Sequence, residues 1–328
     1  MILAGDIGGT NTRLALFEHD GSHLSVRSHT DYVNRNYATF EDLIADFLRT
    51  IEGRVSTASL AVAGPVVNNV VSGTNLPWRV DANSILNRAG LAKVVLLNDL
   101  MALANGIQEL CAEDIEVLQA GVEDPSGNRA VVAAGTGLGE AALVRVGKGY
   151  MALPSEGGHT DFAPCEETET KLLLHLLKRY NHVSYERVLS GMGTVNIYEF
   201  LRDTGLEGEP AALREELASA TDKAAVISQH GLSNHYAICV RTLEMLGAIF
   251  AAEAGNVALR VFATGGVYLG GGIAPKIAPV LRTESFRQRF CSKGRLQSLL
   301  EKIPVKLVLN QHTGLIGAAA YGFETLHS

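Results

Sequence analysis

One unit occurs twice in this chain and constrains its fold more than any other feature: a short apolar strand, a glycine-rich turn and a second apolar strand. The first copy is Leu3-Ala4-Gly5-Asp6-Ile7-Gly8-Gly9-Thr10-Asn11-Thr12-Arg13-Leu14-Ala15-Leu16-Phe17. The second runs Val131-Val132-Ala133-Ala134, then Gly135-Thr136-Gly137-Leu138-Gly139, then Ala141-Ala142-Leu143-Val144. Short alternating strands joined by glycines read as a β-hairpin. In the first hairpin the glycines allow a tight turn and leave backbone N–H groups uncovered for an anion. Thr10, Asn11 and Thr12 add side-chain donors, and Asp6 could hold a hydrated metal ion beside bound phosphates. One such hairpin alone reads as an ordinary glycine-rich turn. Two of them, about 130 residues apart, suggest two related α/β domains that present their hairpins to a shared cleft, where one nucleotide is held.

Size and composition leave room for that arrangement. With 328 residues, 47% hydrophobic and 19% charged, the chain suits one large or two medium domains with sizeable cores. A net charge of −7 and no Lys/Arg stripe argue against nucleic acid as a partner. The longest apolar run, at residues 242–259, is interrupted by Glu244, Glu253 and Asn256, and reads as a buried helix, not a membrane span. The first residues enter a strand directly, without the basic segment and cleavage site of a leader. Cys111, Cys165, Cys239 and Cys291 are scattered and form no CxxC pair, which suits reduced thiols, no zinc site and a cytoplasmic location.

The first third of the chain alternates strands and helices, the pattern of an α/β architecture. Phe40, Leu43, Ile44, Phe47, Leu48 and Ile51 mark one helical face. A strand follows at Ser59-Leu60-Ala61-Val62-Ala63 and ends at Gly64-Pro65, and another, Val94-Val95-Leu96-Leu97, stops at Asn98-Asp99 before a helical stretch at residues 100–110. Beyond the second hairpin, residues 166–180 read as a helix with acids in its first turn and Lys178-Arg179 in its last, as the helix dipole prefers. A third glycine-rich element comprises Phe262-Ala263-Thr264-Gly265-Gly266 and Gly270-Gly271-Gly272-Ile273-Ala274-Pro275. The pattern closes with a strand at residues 305–309 and a small-residue helix at residues 314–326. The domains expected are 1–110 with 301–328, a small α/β domain, and 111–300, a larger one with extra helices.

Several side chains are placed for chemistry. Neither GxxxxGK[ST] nor GxGxxG is present, which disfavours a Walker-type NTPase and a Rossmann dehydrogenase. Asn98-Asp99 sits where a strand ends and a helix begins, the edge at which α/β folds bind ligands. Two readings stand there: a helix cap, or an aspartate that accepts a proton from a substrate hydroxyl while its neighbour hydrogen-bonds another. In Glu156-Gly157-Gly158-His159 the two glycines could turn a carboxylate and an imidazole toward one point, a donor–acceptor mix suited to a polyhydroxy substrate. Ser184-Tyr185-Glu186-Arg187-Val188-Leu189-Ser190-Gly191 reads as a short capped helix, in which Glu186 alone is an ordinary surface acid.

Together these motifs resemble the bacterial glucokinase family of the non-ROK type, within the sugar kinase, heat-shock chaperone and actin superfamily. The resemblance runs in order over nearly the whole chain. Its most specific stretches are Pro154-Ser155-Glu156-Gly157-Gly158-His159-Thr160-Asp161-Phe162-Ala163-Pro164 and Asn75-Leu76-Pro77-Trp78, preceded by Thr74. It implies two ribonuclease H-like (actin-like ATPase) domains with a cleft between them and ATP-dependent phosphorylation of glucose to glucose 6-phosphate, the first step of glycolysis. By the same resemblance Asp99 is the catalytic base, and Asn98, Glu156, His159 and Glu186 are glucose ligands. Gly5, Asp6, Ile7, Gly8, Gly9, Thr10 and Asn11 form the first phosphate loop, Gly135, Thr136 and Gly137 belong to the second, and Gly265, Gly266, Gly271 and Gly272 to the nucleotide site. Mg²⁺, met by Asp6 through water, and a homodimer are implied as well. The CxCGxxGC zinc signature of the ROK sugar kinases is missing. Glu140, directly after Gly139, would repel a phosphate if it pointed inward, so it is expected to face away.

On that basis the 6-hydroxyl of glucose gives its proton to Asp99, because an aspartate of ordinary acidity, about 3.9, is ionised at neutral pH without tuning. Closure on the sugar is expected to exclude water, itself a small hydroxyl acceptor. The rivals are a kinase for another hexose, such as mannose or fructose, and a non-catalytic sugar-sensing protein on the same fold.

Overall fold

The computed structural model describes residues 1–20, 23–72 and 76–326. The chain forms two compact units, Met1–Glu113 with Asn310–Ser328, and Asp114–Leu309.

The first unit is built on a five-stranded sheet. Its β1 (Ile2–Ile7), β2 (Asn11–His19) and β3 (Leu24–Val33) form an antiparallel meander. On the other side of β1, β4 (Thr57–Val62) and then β7 (Lys93–Asn98) join in parallel, giving the order β3-β2-β1-β4-β7. A separate ribbon pairs β5 (Val70–Val71) with β6 (Val80–Asp81). Both faces of the sheet are covered, which is why β4 is buried at every residue. Alternation sorts β1: Leu3 and Ile7 pack with α1 (Phe40–Arg49) and α2 (Ala82–Ala89), while Ile2 and Ala4 pack with α3 (Asp99–Gly106) and the C-terminal helix Thr313–Leu326.

The apolar stripe read in the sequence becomes α1. Phe40, Leu43, Ile44 and Phe47 are each 0% exposed, worth roughly 1.5–3 kcal/mol apiece on burial, and Thr39 caps the helix by accepting from the Asp42 N–H. Trp78, at the end of one specific motif, packs on Phe40 and donates from its indole to the Tyr37 carbonyl; Thr74 and Asn75 of that motif lie outside the described residues. Strand β3 left no trace in the sequence reading because it is an edge strand. Arg27, His29 and Asp31 alternate with polar neighbours, and only Tyr32 is buried.

The second unit carries a six-stranded sheet in the order β11-β10-β9-β12-β13-β8. Its strands are β8 (Ile115–Gln119), β9 (Arg129–Ala134), β10 (Leu138–Val146), β11 (Gly149–Ser155), β12 (Val267–Gly270) and β13 (Val305–Val308). The second hairpin is β9 and β10, and β12 lies parallel between β9 and β13. Because β13 pairs with β12 and β8, the chain returns to the first unit at residue 310, past the boundary expected at residue 301.

Helices α4 (Glu167–Leu176), α5 (Gly191–Asp203), α6 (Ala211–Ser219), α7 (Lys223–Leu232) and α8 (Ala237–Val261) follow β11. Helix α8 contains the apolar run and is buried along most of its length, packed by α5, α7 and the helix Glu284–Cys291. Among the described residues no helix is long and apolar enough to cross a membrane. The expected short helix at residues 184–191 is instead a single 3₁₀ turn, Tyr185–Arg187, because Ser190 already caps α5 by accepting from Gly193 N–H.

Candidate active site

In the first unit three strand ends converge. Ile7, Val62 and Asn98 are register partners across β1, β4 and β7, and Ala63 N–H donates to the Ile7 carbonyl at 3.0 Å. With strands about 4.8 Å apart, the hairpin turn after Ile7 and the Asn98-Asp99 pair share one sheet edge about 10 Å across. The turn is residues 8–10, where Gly8 N–H donates to the Asn11 carbonyl at 3.0 Å. Gly5 and Ile7 lie inside β1 and face α1 and α2: a Cβ on Gly5 would stand 2.7 Å from Leu60 Cδ2, so this glycine serves packing within the strand and lies outside the turn at residues 8–10.

A residue that the sequence reading missed holds the turn in place. Asn34, 2% exposed, donates to the carbonyls of Gly8 (2.8 Å) and Gly9 (3.1 Å) and accepts from Thr12 Oγ1 (2.8 Å). No spacing rule joins a residue after the third strand to a turn before the second, so the sequence carried no signal for it.

Of the two readings of Asn98-Asp99, the structure shows the helix cap directly. Asn98 Oδ1 caps α3 by accepting from Leu100 N–H (2.9 Å) and Met101 N–H (3.4 Å), while Nδ2 donates to the Gly64 carbonyl at 3.1 Å. Asp99, exposed at the helix start, accepts from Leu100 N–H through Oδ1 at 2.9 Å. Asp6 leaves β1 on the opposite face to Gly5, with Arg13 Nη1 at 3.5 Å and Gly314 of the C-terminal helix close by. Burial raises its carboxyl above the usual range, against the pull of Arg13 and His312, although 27% of the side chain reaches solvent. Among the described residues no three or more His, Cys, Asp and Glu side chains gather to hold a metal. A magnesium ion that keeps most of its water needs one or two carboxylates besides substrate phosphates, and Asp6 fits as one of them.

In the second unit the turn at residues 135–137 closes through Gly135 N–H to the Gly137 carbonyl at 2.8 Å, and Gly191 N–H donates to the Gly135 carbonyl at 2.9 Å. The 3₁₀ turn Gly157–His159 follows β11, its Gly157 N–H donating to Ser155 Oγ at 2.9 Å and His159 N–H to the Glu156 carbonyl at 3.0 Å. Thr160 ties this turn to the other: its carbonyl accepts from Tyr185 N–H at 3.1 Å. His159 Nδ1 thus comes within 4.0 Å of Glu186 Oε1, and Glu186 Oε2 accepts from Leu138 N–H at 3.1 Å. Glu156 and His159 are exposed. A cavity of about 350 Å³ borders His159 and Glu186, walled by Arg179, Tyr180, His182, Ser184 and Arg187.

The third glycine element divides in two. Gly271 and Gly272 follow the carboxyl end of β12, beside the second hairpin: Ile273 N–H donates to the Ala134 carbonyl at 2.9 Å. Gly271 has φ +83°, and a Cβ there would overlap that carbonyl. Gly265 and Gly266 stand at the opposite end of β12, roughly 13 Å away, where Gly265 N–H donates to the Asn128 carbonyl and the Gly266 carbonyl accepts from Ala130 N–H. The structure therefore does not bring Gly265 and Gly266 to the hairpin turn; they are buried joints between strands.

The sequence and fold are shared with known proteins. A family model described as Glucokinase matches residues 3–325. A glucokinase of Synechocystis sp. is 41% identical over 341 residues, covering 97% of this chain and 96% of the relative. The crystal structure of a glucokinase from an Antarctic psychrotroph is 32% identical with a TM-score of 0.85, covering 99% of each chain. A ROK family glucokinase from Streptomyces griseus, solved in complex with glucose and AMPPNP, superposes with a TM-score of 0.67 at 19% identity over 98% of this chain and 99% of its own.

Proposed function

The chain belongs to the glucokinase family, and we propose that its Asp99 takes the proton of the glucose 6-hydroxyl as that oxygen attacks the γ-phosphorus of ATP. The protein is an ATP-dependent glucose kinase with the fold of the actin-like ATPases. In the transfer a bond forms between the sugar O6 and phosphorus, the bond from phosphorus to the β,γ-bridging oxygen breaks, and ADP leaves. Such transfer is mostly positioning and charge stabilisation, so the base, the hydroxyl ligands and the phosphate donors carry it.

The observation behind Asp99 is its place on the same sheet edge as the first glycine turn, with the side chain exposed. Asn98, Glu156, His159 and Glu186 take the sugar's other hydroxyls. The carboxylates accept, and Asn98 keeps one amide N–H beyond the one it gives to Gly64. Gly8 and Gly135 spend their N–H groups inside their own turns, so the phosphates fall to residues 9, 10, 136 and 137, with Gly271 and Gly272. Asp6, through water, would hold Mg²⁺, which would supply charge neutralisation of the phosphates. A homodimer and a cytoplasmic location belong to the same proposal.

The test is a coupled assay for hexose phosphate with glucose, mannose, fructose and glucosamine, with and without ATP and Mg²⁺. ATP-dependent turnover with the highest kcat/KM on glucose supports the proposal. Preference for another hexose, or sugar binding without turnover, overturns it.

A further inference from the structure

Glu140 is a carboxylate that the reaction does not use, yet it is 3% exposed. It lies on β10 opposite Ser155 of β11, the residue whose hydroxyl accepts from Gly157 N–H. Its Oε2 fills the space that a Cβ on Gly157 would need, so the carboxyl rests against the backbone of the turn at residues 156–159. Beneath it stands α8. Arg260 reaches Glu140 at 3.6 Å and Glu253 at 2.7 Å, and Glu253 is 0% exposed.

The same cluster supports the second sugar-facing turn. Asn256 donates to both Glu253 (2.8 Å) and the hydroxyl of Tyr185 (2.9 Å), the residue before Glu186, and Lys293 donates to Asn256 at 2.6 Å. Two buried carboxylates thus share one guanidinium, and Glu140 Oε1 has no donor. A proton on Glu140 removes the excess charge and gives the carboxyl a hydrogen to donate to Glu253.

We propose that Glu140 is a positioning residue for the sugar: in its protonated form, braced by Glu253 and Arg260, it holds the turn at residues 156–159 at the angle that presents Glu156 and His159. This rests on the assignment of those two residues as sugar ligands. Burial, then the charge of Glu253 and a hydrogen bond to it, push the Glu140 carboxyl up to about 8, against the pull of Arg260. Raising the pH through that value places two buried negative charges side by side, and their repulsion displaces the carboxyl on which Gly157 rests.

The test is the glucose KM from about pH 7 to about pH 9, with KM for ATP and thermal melts alongside, for the wild type, Glu140→Gln and Glu140→Ala. Wild-type KM for glucose should climb about fivefold across that range. Glu140→Gln, which keeps the shape and the donor but cannot ionise, should stay low and flat. Glu140→Ala should be raised about fivefold at every pH with KM for ATP unchanged. If Glu140→Ala does not fold, Glu253→Gln replaces it and should flatten the profile in the same way. An alkaline rise that persists in Glu140→Gln, or a wild-type KM in Glu140→Ala, overturns the proposal. Glu156→Ala and His159→Ala serve as controls: if these also leave the glucose KM unmoved, the sugar assignment itself falls, whereas if they raise it only the role of Glu140 is lost.

Discussion

Glu186 Oε2 accepts a hydrogen bond from the backbone N–H of Leu138 at 3.1 Å, while Oε1 of the same carboxylate lies 4.0 Å from His159 Nδ1. One side chain therefore anchors the strand that leaves the second glycine turn and faces the proposed sugar ligands. A residue in that position should affect both substrates. Glu186→Ala is expected to raise KM for glucose and for ATP by about tenfold or more, since a hydrogen bond to a charged group is worth roughly 1.5–3 kcal/mol. Glu186→Gln keeps an acceptor for Leu138 and should spare ATP. Calorimetric titration of each substrate separates the two effects, and a loss confined to glucose in Glu186→Ala counts against the shared role.

Asp99→Asn should lower kcat by about 10²-fold or more while leaving glucose affinity and the circular dichroism spectrum as they are. The amide oxygen can still accept from Leu100 N–H, so the start of α3 survives. Turnover near the wild-type value would falsify the assignment of the base.

Asn34→Ala strips partners from the Gly8 and Gly9 carbonyls and from Thr12 in a buried setting. The expected cost is roughly 1–3 kcal/mol of stability, with a raised KM for ATP because the first turn loses its brace. A melting temperature equal to the wild type's refutes the cost, and an unchanged KM for ATP refutes the link to the nucleotide.

Gly271 and Gly272 should respond differently to the same substitution. Gly271→Ala forces a Cβ onto the Ala134 carbonyl at positive φ and should destabilise the second unit. A Cβ on Gly272 meets nothing within 4 Å, so Gly272→Ala should keep its melting temperature and, if the phosphates pass over it, lose affinity for ATP alone. Equal melting temperatures for both variants contradict this.

The Glu209 carboxylate, 5% exposed at its side chain, accepts from Arg214 at 2.6 Å and Tyr198 at 3.0 Å. Burial alone would raise it, but these hydrogen bonds and the charges of Arg202 and Arg214 hold it below the usual range. A depressed carboxylate stabilises the fold above its unfolded value and loses that contribution as pH falls through its folded value. Glu209→Gln should therefore cost roughly 1–2 kcal/mol at neutral pH, and the gap from wild type should shrink below about pH 4.5. Denaturant melts at neutral and acidic pH provide the comparison, and a gap that stays constant with pH contradicts it.

What the sequence showed was what local pattern can carry. The two hairpins, the strand ending at Asn98 and the apolar helix around residue 250 are each written in adjacent residues, and they stand where the pattern put them. Glycine counting cannot say which end of the four-residue β12 a pair occupies, so in the sequence Gly265 and Gly266 group with Gly271 and Gly272. Gly5 reads with the turn because, in sequence, a glycine needed for packing looks the same as one needed for bending. Asn34 and the Glu140–Glu253–Arg260 cluster were illegible for another reason: their partners are brought together only by tertiary folding.

The first unit is split in the chain, since the helix Thr313–Leu326 supplies the layer that covers Ile2, Ala4, Ala15 and Phe17. During synthesis that face of its sheet has only α3 to cover it until all of Asp114–Leu309 has been made. The second unit, continuous in sequence, can close first. The nascent first unit must then wait with a partly exposed apolar sheet face, the kind of surface that chaperones hold and that aggregates when it is not held.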